Sequence, residues 1–300
     1  MTTRASLIHS TLIDHIARVD LRVRDIDRSL SFYRSVVGLE VAEATATRAA
    51  LRSPEGEVFI ELSSEGVSRP AAPGATGLFH IAIRFPTRSS LGDALARLAD
   101  TGMEIGAGDH LVSEALYIND PDGNGVELYR DRPIDQWPPP SGDMAIPMAT
   151  LPVDLRALLE DGHGRDAIGE AAPAGTDMGH VHLQVSDIHA TTGFYSDVLG
   201  LDRTAMLGDS AGFFSSNGYH HHIGVNTWRS RGATPVDASH AGLERIVFAV
   251  ADPGQLDDLS SRLGYQPVAE SDGSEVLTAR DPDGVEMQFT LTNMATAKRE

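Results

Sequence analysis

The chain of 300 residues contains no cysteine, which excludes disulfides, thiolate nucleophiles and sulfur-ligated metals, so any bound ion must be held by nitrogen and oxygen donors. No stretch approaches the ~20 apolar residues needed to cross a bilayer. The opening MTTRASLIHSTLIDH also lacks the apolar core of a secretory leader, and a cytoplasmic location is expected. Positive charge is scarce as well. With 24 Lys and Arg against 43 Asp and Glu, the formal net charge is -19, which repels phosphate backbones and anionic membrane surfaces. Neither nucleic acid nor membrane is an expected partner. What is present is 41% hydrophobic residues, in a length that suits about two domains.

The chain repeats itself. VDLRVRDIDRSLSFYRSVVGL (19–39) and VHLQVSDIHATTGFYSDVLGL (181–201) share Asp25 and Asp187, Phe32 and Phe194, Tyr33 and Tyr195, and Gly38 and Gly200 at one constant offset. Each reads as an alternating strand followed by a helix that Asp opens and Gly closes. A second repeat runs from GLFHIAIRF (77–85) through a helix at about 89–102 to DPDGNGVELY. It returns as GLERIVFAV (242–250), a helix at about 253–263 and DPDGVEMQF. The pattern predicts an α+β chain of four units, each a strand, a helix and three strands. A first pair of units spans 10–133 and a second pair 176–295; between them 134–175 is a Pro- and Gly-rich linker with a short helix near 153–161.

This pattern is similar to the vicinal oxygen chelate superfamily, which includes glyoxalase I, bleomycin-resistance proteins and type I extradiol dioxygenases, over nearly the whole chain outside the linker and termini. The resemblance implies that βαβββ units pair into two half-open barrels, with a divalent metal held by the first and last strands of a unit. At those positions the second unit has His80 (FHIAI) and Glu127 (GNGVEL), and the third has His180 (GHVHL) and the run GYHHHIGVN (218–226). The first and fourth units have Arg18 and Arg245 instead, which cannot ligate because a guanidinium stays protonated. Pairing in chain order would divide the donors, with Glu61, His80 and Glu127 in one barrel and His180, Glu286 and the histidine run in the other. Crossed pairing, unit two with three and one with four, gathers His80, Glu127 and His180 about one ion and confines the arginines to an inactive site. The crossed arrangement is the preferred expectation, with Glu61 and Glu286 as relics or surface charges. Two imidazoles and a carboxylate with other positions open suit Fe(II) and dioxygen, with Mn(II) the alternative.

GDHLVSEALYINDPDGNGVELY (108–129) places His110, Tyr117 and Glu127 around a DPDG turn at the spacing of the extradiol dioxygenase signature, although DPDG alone is ordinary hairpin chemistry. The resemblance implies that Glu127 binds iron, His110 stabilises charge on oxygen and Tyr117 donates to a substrate-derived oxygen. One residue of the triple-histidine run then serves as acid or base near neutral pH. Strand alternation puts His220 and His222 on the cavity face and His221 on the other with Ile223 and Val225; His222 also matches a fourth ligand position of glyoxalase-like members. The implied activity is Fe(II)-dependent insertion of dioxygen into a catechol-type vicinal diol. A glyoxalase-like isomerase and a non-catalytic ligand-sequestering protein are the alternatives, and neither requires His110 with Tyr117. A small aromatic diol and dioxygen are the expected partners, and a homo-oligomer stays open. Loops 65–76 and 203–212 are expected to set substrate size, Met144 and Met148 to plug a groove, and Arg130, Asp131 and Arg132 to form a solvated strand end.

Overall fold

A computed structural model describes residues 8–142, 144–270 and 274–291. The first unit comprises β1 (His15–Arg22), α1 (Ile26–Phe32), β2 (Glu40–Ala44), β3 (Arg48–Arg52) and β4 (Val58–Ser63). The second has β5 (Gly77–Arg84), α2 (Arg88–Thr101), β6 (Gly106–Asp109), β7 (Ser113–Asn119) and β8 (Gly125–Asp131). The linker carries α3 (Leu155–Asp161). The third unit follows with β9 (Asp177–Gln184), α4 (Ile188–Thr192), β10 (Asp202–Leu207), β11 (Ala211–Ser215) and β12 (Ile223–Asn226). The fourth has β13 (Gly242–Val250), α5 (Pro253–Leu263), β14 (Val268–Ala269), β15 (Glu275–Arg280) and β16 (Glu286–Leu291). The helix signals act as read: the Asp25 carboxylate accepts the N–H of Arg28, and the chain after α1 widens into a π-turn that Gly38 stops at φ 94°. Among the described residues no helix is long and apolar enough to cross a membrane.

In each unit the last strand returns parallel beside the first, so residues far apart in sequence become neighbours. Units one and four then join through the antiparallel pair β1 and β13, and units two and three through β5 and β9. The result is two eight-stranded sheets, β14-β15-β16-β13-β1-β4-β3-β2 and β10-β11-β12-β9-β5-β8-β7-β6, each curled about a concave face. Crossed pairing is therefore the observed arrangement. Each half of the chain, with elements from His15 to Asp131 and from Asp177 to Leu291, gives one unit to each sheet.

Contacts along the chain tie the sheets to each other. Tyr33 Oη donates to Asp120 Oδ2 at 3.4 Å and Tyr195 Oη to Asp281 Oδ2 at 3.2 Å. The N–H groups of Arg24 and Ser186 donate to Asp122 and Asp283 at 3.0 and 2.9 Å. Both aspartates of each DPDG turn thus dock the preceding unit, a task beyond turning a hairpin. The linker makes a further connection. Leu151 and Asp109 exchange backbone hydrogen bonds of 2.8 and 2.9 Å, and the Ile146 N–H donates to Thr204 O at 3.1 Å. The sheet of units two and three is the inner sheet and that of units one and four the outer; because β6 and β10 are the two edges of the inner sheet, residues 146–151 strap its open side.

Burial raises the Asp281 carboxyl to about 6 from its ordinary 3.8, against the hydrogen bonds it accepts. Within that window the folded state binds more protons than the unfolded chain, so this group's contribution to stability falls as pH rises from 3.8 through about 6. Asp281→Asn is expected to flatten that fall, read as a smaller change in urea midpoint between about pH 4 and about pH 7 than in the wild type. Equal changes in the two proteins would reject the assignment.

Candidate metal centre and aromatic cavity

Cross-strand register assembles the centre. Tyr117 on β7 pairs with Glu127 on β8, Glu127 with Ala82 on β5, and Ala82 with His180 on β9; residues in register share a face. The small side chain of Ala82 leaves space between carboxylate and imidazole, and His80, two residues earlier on the same strand face, reaches that space from the side. His80 Nε2 lies 2.9 Å and His180 Nε2 3.3 Å from Glu127 Oε2. Among the described residues these three form the group of donors close enough to share an ion, with their ligand atoms within 4.8 Å of one another, and all are buried.

The electrostatics suit a cation. Burial opposes ionisation of Glu127, but the adjacent His180 and His80 imidazoles hold its carboxyl well below the usual range. Burial takes His180 down to about 4 despite the pull of Glu127, so near neutrality the imidazole is uncharged beside a carboxylate. His80 Nε2 is buried and has no hydrogen bond of adequate geometry, even to the nearby carboxylate. An anionic oxygen and two imidazole nitrogens aimed at one point fit a divalent metal. In the outer sheet the corresponding place is filled by guanidinium groups. Arg18 Nη1 pairs with Glu61 at 2.9 Å, and Arg245 Nε with Glu286 at 3.1 Å.

Two bulges in the β5 and β9 ladder shape what surrounds the donors. On β5 the extra residue is Phe79, which therefore lines the cavity together with His80. On β9 the extra residue is Gly179, and a Cβ there would lie 1.6 Å from Tyr129 Oη, whose ring packs on His180 with centroids 4.8 Å apart. The cavity holds about 450 Å³. His110, Tyr117, His182, Phe213, His221 and Trp228 complete its walls, and Met148, Ala149 and Thr150 of the strap reach into it. His110 Nδ1 donates to Ala149 O at 2.8 Å, which leaves Nε2 to accept from Tyr117 Oη at 2.6 Å. Beside it Leu111 holds a left-handed φ of 69°, the kind of local strain that marks functional turns.

The triple-histidine run departs from the expectation of strand alternation. Strand β12 begins only at Ile223, so His220 to His222 lie in an irregular stretch to which period two does not apply. His221 lines the cavity, its ring 4.1 Å from that of His180, whereas His220 and His222 point elsewhere. His222 Nδ1 meets Ser215 Oγ at 3.1 Å and accepts the Ser216 N–H at 3.3 Å; it is not placed as a fourth ligand. His220 Nε2 lies 2.7 Å from Asp131 Oδ1, and its Nδ1 2.8 Å from His221 Nδ1. Burial disfavours an ionised Asp131, but His220 and Arg84 hold its pKa below the ordinary value, so His220 Nε2 carries the donated proton. With the His220 ring uncharged, its Nδ1 accepts from His221 Nδ1, which leaves the lone pair of His221 on Nε2.

Other expectations shift as well. Asp131 is a half-buried anchor of this chain of rings, and Arg130 and Arg132 pair with Glu114 and Asp109 at 2.6 Å, so the run is no free solvated strand end. Loop 203–212 supplies Leu207 to the cavity, but nothing from 65–76 lines it. Met148 reaches the groove as expected, whereas Met144 does not line the cavity; His182 was not singled out, although the spacing of HVHL could have found it because alternate residues share a face, and the aromatic wall carried no local signal. Gly179→Ala is expected to push Tyr129 against His180 and weaken divalent-metal binding by about 10–100-fold, the range for lost support of a ligand, measured by titration calorimetry. Unchanged affinity would show that the bulge does not hold the ligand.

A family model described as Glyoxalase/Bleomycin resistance protein/Dioxygenase superfamily matches residues 12–128 and 177–289. The chain is 39% identical over 281 residues to a catechol-2,3-dioxygenase of Bacillus subtilis, covering 92% of this chain and 97% of that one. It is 32% identical over 124 residues to biphenyl-2,3-diol 1,2-dioxygenase 3 of Rhodococcus globerulus, covering 40% of this chain and 65% of that relative. Glyoxalase I from Zea mays has the same fold, with a TM-score of 0.54 at 15% identity over 92% of each chain. The chain belongs to the glyoxalase, bleomycin resistance and dioxygenase superfamily.

Proposed function

We propose that this chain is an extradiol ring-cleaving dioxygenase, inserting dioxygen into a catechol-type vicinal diol at Fe(II) held by His80, Glu127 and His180. The observation that carries the reading is the convergence of those three donors with the His110–Tyr117 pair and His221 on one aromatic-walled cavity. The extent of likeness to a catechol-2,3-dioxygenase supports it. Iron, when bound, would supply open coordination positions and a path for electrons from the diol ring to dioxygen; Mn(II) fits the same donors and is the alternative.

The protein's own groups handle protons and orientation. His221 is buried against neighbouring imidazoles, which keeps its ring uncharged, so its Nε2 is free to take a proton from a diol hydroxyl. The Asp131–His220 pair fixes that tautomer. Burial and then the nearby Glu127 carboxylate keep the Tyr117 phenol protonated, and with His110 it holds a proton at the wall for an oxygen of the substrate. The strap and the aromatic rings shield this exchange from water. Glyoxalase-like isomerisation is less well served, because the histidine matched to its fourth ligand bonds to Ser215 and Ser216 instead.

Iron-reconstituted protein mixed aerobically with catechol is expected to form a yellow ring-fission product. Glu127→Ala should abolish the colour and Glu286→Ala should retain it, while His221→Ala should lower kcat by about 10²–10⁴-fold, the range for a lost acid–base group. No colour from the loaded wild type, or equal damage from both glutamate changes, would overturn the proposal.

A further inference from the structure

We infer that the diol accepted by this cavity carries an uncharged, apolar ring substituent, selected by a wall made of Phe79, Leu207, Phe213 and Trp228. The inference rests on the ring-cleavage reading of the same site and narrows its substrate class. A bare catechol has eight heavy atoms, whereas the cavity of about 450 Å³ falls within the ~300–1,000 Å³ that hold drug-sized ligands. Space is therefore left beside the metal-binding ring.

The character of that space is apolar. Among the described residues no lysine or arginine lines the cavity, so a carboxylated ring would find no fixed counter-charge there, and it would bring its own charge toward the Glu127 carboxylate. Phe79, turned inward by the β5 bulge, meets Trp228 edge to face with centroids 5.5 Å apart. Phe213 stands edge-on to both His182, at 5.8 Å, and His221, at 4.9 Å. These rings extend the wall away from the donors. At its rim Trp228 is 53% and Leu207 41% exposed, although most large apolar side chains of the described residues are buried. The Trp228 backbone is held in place by the Asn226 side chain, whose Oδ1 accepts its N–H at 3.2 Å. An exposed indole and isobutyl group fixed at the edge of an aromatic cavity gain by being covered, and an apolar substituent on a bound diol covers them.

The test compares 4-phenylcatechol and 4-tert-butylcatechol with catechol and 3,4-dihydroxybenzoate on iron-loaded enzyme. The apolar diols should exceed catechol in kcat/KM by about 10-fold or more, a difference typical of adding apolar groups to a fitted pocket, and 3,4-dihydroxybenzoate should fall below it by at least as much. Trp228→Ala and Phe79→Ala should shrink the ratio between phenylcatechol and catechol. Binding is read separately by quenching of tryptophan emission in Zn(II)-loaded protein, with Trp228→Phe as the control for the reporting indole. Catechol cleavage with equal use of 3,4-dihydroxybenzoate would overturn this inference and leave the reaction intact. Absence of cleavage with any diol, together with emission quenching selective for the apolar ones, would overturn the reaction and sustain the wall.

Discussion

The antiparallel ladder between β5 and β9 is the interaction on which the site depends. It sets His80 opposite His182 and Ala82 opposite His180, so two strands separated by nearly a hundred residues deliver three imidazoles to one concave face. Parallel pairing of β8 with β5 then brings Glu127 level with Ala82. A slip of one residue would turn each of these side chains to the opposite face. The two bulges are the local adjustments that the ladder needs: one turns an aromatic ring inward and the other removes a side chain where a tyrosine must stand.

Around this ladder the molecule uses two kinds of cohesion that run in different directions. Sheet pairing joins units from opposite halves of the chain, whereas the tyrosine–aspartate contacts and the docked N–H groups join units adjacent in sequence. Neither alone would hold four units together. The outer sheet shows what the same scaffold does without a metal: arginines stand at the ligand positions, and their ion pairs with Glu61 and Glu286 keep its carboxylates partnered.

Much of this was legible in the residue pattern because it arises from repetition. Constant offsets between Asp25 and Asp187 or Gly38 and Gly200 reveal the units, and the positions of Arg18 and Arg245 against His80 and His180 reveal which units must face each other. The orientation of the histidine run was not legible. Alternation holds only within a strand, and β12 starts one residue after the run ends. Asp131 reads as a surface residue because its neighbours are charged, and only the fold shows that those charges are satisfied by Glu114 and Asp109. The strap at 146–151 likewise depends on two sheet edges, β6 and β10, whose proximity no local motif encodes.

The crossed topology has a consequence for how the polypeptide comes into being. When the first half has left the ribosome, β1 and β5 are each paired on one side only, because their partners β13 and β9 have yet to be made. Each is an unpaired edge of the kind that recruits stray strands, and both persist until chain elongation delivers residues far downstream. Closure over such separations is slow, and the nascent protein passes through its most adhesive state midway through synthesis, when a chaperone is best placed to cover it.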